Sequence, residues 1–275
     1  MTDTRLDRRP PLLLRLAIVL LGVVVVWGSV IALGTALFGG RPTVGARVFT
    51  AVSVGCLAVA LVVAARRWLD RRPFSGLALP VSRAAWRPFL VGLLAFSAPS
   101  LVGLGVAVAA GWMTVTTLAP GPEVFGMLAL VVVTVFVYEA VPEELVFRGY
   151  VFRNLAAAMP PWLAVVAQAV LFTVLGTALW VVGEGWEVFT ERVGIFFAMG
   201  IVLGLIRIVS RSVWACVGFH LGFQVVAQTL TGDTVSISGP YVLAVILPAF
   251  VVGTPIVALL TRGLPNWSEV EPDPR

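Results

Sequence analysis

Glu143-Glu144-Leu145-Val146-Phe147-Arg148-Gly149 closes an apolar run that begins at Val124. Elsewhere the apolar runs of this chain hold almost no carboxylates. An ionised side chain at the centre of a bilayer costs ~2.5–3.5 kcal/mol on insertion scales. Two adjacent glutamates, with Glu139 one turn earlier, are hard to explain as packing. They point to a buried polar site in a membrane protein that does chemistry there.

The rest of the chain supports that setting. It has 275 residues, 59% hydrophobic and only 12% charged, and this composition excludes an ordinary soluble domain. Uncharged runs of about 20 residues match the length of a helix that crosses the hydrocarbon core. The ~10-residue alternating segments of a transmembrane barrel do not occur. The expected fold is all-α, a polytopic integral membrane protein of about eight helices with both termini cytoplasmic. The spans read as Leu12–Phe38, Val44–Ala65, Phe89–Ala110, Val124–Phe147, Trp162–Gly183, Val193–Val209, Val213–Leu230 and Pro240–Leu260.

All 19 basic residues are arginine. With the N-terminus inside, only Arg41, Arg47 and Arg192 fall outside, beside Glu184, Glu187, Glu191 and Asp233. That asymmetry obeys the positive-inside rule. The arginines are expected to serve topology and lipid headgroups, and the net charge of +5 does not indicate nucleic acid. Arg66 to Arg87, where arginines alternate with Trp68, Phe74, Leu77, Leu79 and Trp86, reads as a linker lying on the membrane. The organisation expected is a cytoplasmic tail (1–11), two helices plus basic linker (12–87), a core domain (88–262) and a flexible tail (263–275). The all-arginine composition reads as the mark of a GC-rich bacterial genome, so the expected location is a bacterial cell membrane.

Helical spacing gives the candidate residues their geometry. Glu144 and Arg148 are four apart and can pair on one face. Glu139 and Glu143 share another face, so Glu143 is free to face a cavity as general base. His220 is the lone histidine, and Cys216, His220 and Gln224 recur at i, i+4 and i+8 on one face. A histidine in such a place can also be an interhelical hydrogen-bonder. One histidine, one nearby cysteine and the glutamates make a poor zinc set, so neither metal nor cofactor is expected.

These residues resemble the CPBP intramembrane proteases, the type II CAAX prenyl endopeptidase or ABI family. Glu143, Glu144 and Arg148 match its first motif, with Phe147 and Gly149 as flanks. Ser212-Val213-Trp214-Ala215 followed by His220 and Gln224 resembles its last motif, with Gln224 where asparagine is usual. The middle motif departs: Phe172 is present, but Gly176 stands where the family has a histidine.

The resemblance implies that Glu143 activates water while His220 and Gln224 hold the oxyanion, and that Arg148 fixes Glu144. Phe172, Gly176 and Cys216 are expected to line the substrate cavity, and Thr173 or Thr177 to hold a water beside Gly176. The cavity is expected to open to the cytoplasm between the fourth and seventh spans. Three functions follow. One is an endopeptidase cutting peptide or protein substrates near the cytoplasmic face. Another is a silent relative that binds or scaffolds membrane peptides. The weakest is a solute or proton-coupled transporter using the same carboxylates.

Overall fold

A computed structural model describes residues 9–117, 121–231, 235–263, 267–268 and 270. Asp233 and most of both expected tails lie outside them. Among the described residues, eight helices are long and apolar enough to cross a membrane. They are α1 Leu12–Phe38, α2 Val44–Asp70, α3 Arg83–Ala109, α4 Gly121–Ala156, α5 Pro161–Glu184, α6 Glu187–Ser210, α7 Val213–Thr231 and α8 Val242–Thr261. An even number of crossings puts both ends of the bundle on one face, called here the terminus face. On the opposite face, strands β1 Thr114–Thr117 and β2 Val235–Ser238 pair antiparallel, Thr114 opposite Ser238. They tie the α3–α4 connection to the α7–α8 connection, as the alternating directions require.

The sequence predicts a fourth span ending at Phe147, but α4 continues to Ala156. The extra turns are polar yet shielded: Arg148, Arg153 and Asn154 are buried. They are helix interior, not the loop charges expected. Two wide π-helical stretches, Phe136–Ala140 and Leu145–Val151, flank the turn Val141–Glu144. Pro142 supplies no backbone N–H inside this helix. Such widened turns rotate side chains off the regular helical face and are frequent at functional sites.

The linker after α2 does more than lie on the membrane. Trp68 and Trp86 are exposed, as an interfacial segment requires, but Leu77 and Leu79 are buried. The carbonyl of Ala78 accepts the Val213 N–H at the start of α7. The linker therefore supplies an acceptor to a helix terminus whose first N–H groups lack intrahelical partners.

Arg15 and Arg66 are also not lipid-facing. Both are buried around Asp70 at the end of α2, whose side chain is fully buried. Arg15 reaches Asp70 at 2.7 Å and Arg66 reaches it at 2.9 Å. Tyr150 and Asn154 of α4 donate to the same carboxylate at 3.1 Å each, and Arg15 also bonds the Asn154 side-chain oxygen. Breaking such a buried ion pair by removing one partner is costly, because it leaves the other charge uncompensated. The cluster joins α1, α2 and α4 at the terminus face.

The helix that carries His220 is held very close to α3. A Cβ on Gly218 would lie 2.0 Å from the Phe89 carbonyl, and one on Gly92 would lie 1.9 Å from the Ala215 carbonyl. Only glycine permits that approach, the small-residue packing by which membrane helices associate. The edge-to-face pair Phe96–Phe219, with centroids 5.2 Å apart, fills the seam beside it.

Candidate active site

Glu144 is fully buried, and its Oε1 is the hub of the site. It accepts Arg148 Nη1 at 2.8 Å, the i, i+4 pair expected from spacing. It also lies 2.8 Å from His220 Nδ1 on α7, a partner that spacing within one helix could not disclose. Paired with the buried Arg148 guanidinium, Glu144 Oε1 serves as an acceptor. His220 Nδ1 therefore carries the proton. Nε2 of a neutral ring then presents its lone pair on the other side, where Glu143 Oε2 lies 4.0 Å away. That gap is too long for a direct hydrogen bond. A water bonded to both at about 2.8 Å would fit it.

Arg148 is braced in turn. Its guanidinium carbon lies 4.5 Å from the centroid of the Phe172 ring, which packs edge-on against Phe147 at 5.0 Å. Its carbonyl accepts Arg207 Nε at 3.3 Å. Every group behind Glu144 is thus held in one position, while the Glu143 side chain keeps 24% of its surface accessible.

Glu143, His220, Gln224, Phe172 and Gly176 all line one cavity of about 350 Å³. Glu139 lines it too, with its Oε1 accepting the Gln228 amide at 3.0 Å. Two expectations are corrected. Cys216 is not on the wall: it is fully buried, with its thiol directed at the Leu203 carbonyl 3.4 Å away. The helical face that Cys216 shares with His220 turns from α4 toward α6 within one turn of α7. Thr173 and Thr177 are not on the wall either, and the Thr173 hydroxyl is spent on the Ala169 carbonyl at 2.7 Å.

The cavity also extends along α1 and α5, to Ile31 and Trp180. Those residues lie about 29 Å along their helices from the terminus face, at 1.5 Å per residue. Val23, Trp27 and Ile31 make α1 part of the wall, which sequence reasoning missed. A tryptophan in the middle of an apolar helix was the available signal. Asp70 was missed as well; its signal was a lone acid four residues after Arg66.

At Gly176 an added Cβ would meet only the Phe196 ring, at 3.6 Å, an ordinary contact. The wall therefore has room for a side chain there, beside an aromatic ring.

Residues 125–226 match the family model described as type II CAAX prenyl endopeptidase Rce1-like. The matched segment contains both glutamates, Arg148, Gly176, His220 and Gln224. No curated protein and no solved structure matches the chain.

Proposed function

From the premise that this chain is an integral membrane protein of the CPBP/CAAX family, matched over residues 125–226, we propose that it is a glutamate-type intramembrane endopeptidase. Its substrates are peptides or proteins, cut inside the cavity between α1, α4, α5, α6 and α7, in a bacterial cell membrane. The observation that carries this reading is the relay Arg148–Glu144–His220, which aims a ring nitrogen at Glu143 across 4.0 Å.

In the proposed reaction a water lies between Glu143 and His220 Nε2. Its oxygen attacks the scissile carbonyl carbon as its proton passes to Glu143. The carbonyl π pair moves onto oxygen. Gln224, whose amide lines the cavity, donates to that oxyanion, a contribution worth ~3–4 kcal/mol in comparable sites. Glu143 then delivers the proton to the leaving amine as the C–N bond breaks. In the neutral tautomer fixed by Glu144, His220 has no Nε2–H to give. It acts beside Glu143 as acceptor for the water, and donates to the oxyanion only once protonated. This differs from the purely oxyanion-binding role that the resemblance implies for His220.

A second reading, a silent relative that binds membrane peptides, is favoured by Gly176, which leaves the wall apolar beside Phe196. Cleavage of a reporter peptide by the purified protein in detergent and in liposomes separates the two. Glu143→Ala is expected to lower the rate by ~10²–10⁴ with unchanged folding. A wild-type protein without activity that gains it as Gly176→His would assign the binding role instead.

A further inference from the structure

A second cavity, of about 320 Å³, lies between α1, α2, α4 and α7 and takes no part in the proposed hydrolysis. Arg41 and Arg47 line it at the α1–α2 turn, on the face opposite the termini, with the Thr35 and Thr50 hydroxyls nearby. At the other end it is bounded by Glu139 and Gln228. Three observations mark it as a built site.

First, Arg41 and Arg47 are two of the three arginines placed outside by the charge pattern, and they converge here. The third, Arg192, lies 3.8 Å over the Trp180 ring. Second, among the described residues no carboxylate pairs with either guanidinium, so two cations face one concave space. Third, at the floor, Glu139 Oε1 is taken by Gln228 while Oε2 is buried and lacks a donor. Buried acceptors are normally satisfied. A ligand complementary to both ends offers an oxyanion to the arginines and a hydroxyl donor to Glu139.

We propose that this cavity binds a phosphate ester bearing hydroxyl groups, of the phosphoglycerol type. Arg41 and Arg47 take the phosphate, since guanidinium forks match its oxygens. Glu139 Oε2 accepts a hydroxyl of the ligand. A phospholipid headgroup and a free sugar or glycerol phosphate share this chemistry. Tyr138 and Glu139 line both cavities, so the ligand sits one helical turn from Glu143. The site does not depend on the protease reading, because its test needs no cleavage.

Calorimetric titration of the full chain in maltoside detergent tests it. The probes are glycerol 3-phosphate, inorganic phosphate, dioctanoyl phosphatidylglycerol and dioctanoyl phosphatidylcholine. Arg41→Gln/Arg47→Gln is expected to weaken glycerol 3-phosphate and phosphatidylglycerol at least about tenfold, as two lost charge contacts imply. Glu139→Gln is expected to weaken the hydroxylated ligands and leave inorganic phosphate unchanged. Much tighter phosphatidylglycerol than glycerol phosphate assigns the site to lipid, and equal affinities assign it to the free ester. The proposal is overturned if no phosphate probe binds, if phosphatidylcholine binds as tightly as phosphatidylglycerol, or if the arginine variant binds as wild type does.

Discussion

Replacing Arg148 by Met, Glu144 by Leu, and both together measures whether the hub of the site is one coupled unit. Glu144 and Arg148 are both fully buried and 2.8 Å apart. Removing one partner of such a pair leaves the other charge in a medium that cannot solvate it, at a cost of about 3–5 kcal/mol. Arg148→Met should show this loss, with part of it from the cation–π contact to Phe172, worth ~0.5–2 kcal/mol. Glu144→Leu should lose a similar amount, because it strands the guanidinium and also removes the acceptor of His220 Nδ1.

The double variant has no stranded charge. What remains is the His220 Nδ1 proton without its acceptor, a desolvation cost of about 1–3 kcal/mol. The double variant should therefore be more stable than either single one. Reversible unfolding in mixed detergent, followed by circular dichroism, gives the three free energies. Additivity of the two single losses, within ~0.5 kcal/mol, would refute the reasoning, because uncoupled sites add in this way.

The other expectations concern separate parts of the molecule. Asp70→Ala should cost about 3–5 kcal/mol in the same unfolding assay and expose α1 to proteolysis, since Arg15 loses its carboxylate. Gly218→Ala should destabilise strongly through collision with the Phe89 carbonyl, while Gly105→Ala, with nothing within 4 Å, should be neutral or slightly stabilising. A maleimide should spare the buried Cys216 until the protein unfolds, as mass spectrometry of peptides would show. If Cys216 labels in the folded state, it lines an accessible surface after all. Gly176→His should fold with a midpoint near wild type, because an added Cβ there meets the Phe196 ring at an ordinary contact distance.

The sequence alone determined the class, the number of spans and the residues of the first motif. These depend on short-range rules. Span length follows from bilayer thickness, orientation from arginine asymmetry, and the Glu144–Arg148 pair from helical spacing. The same rules misassigned Arg15, Arg66 and Arg153. A charge near a span end looks the same in sequence whether it meets headgroups or a buried carboxylate. Only the assembled bundle shows that Asp70 gathers Arg15 and Arg66 with two groups of α4.

The tertiary structure alone decided which carboxylate binds His220. Residues 76 apart in sequence meet at 2.8 Å because glycines let α7 press against α3, and because widened turns rotate the acidic face of α4. It also decided that Cys216 faces away from the cavity, that α1 forms part of its wall, and that it extends away from the terminus face. Each of these depends on how helices are rotated about their axes. That rotation is set by contacts between helices, which no pattern within a single helix encodes.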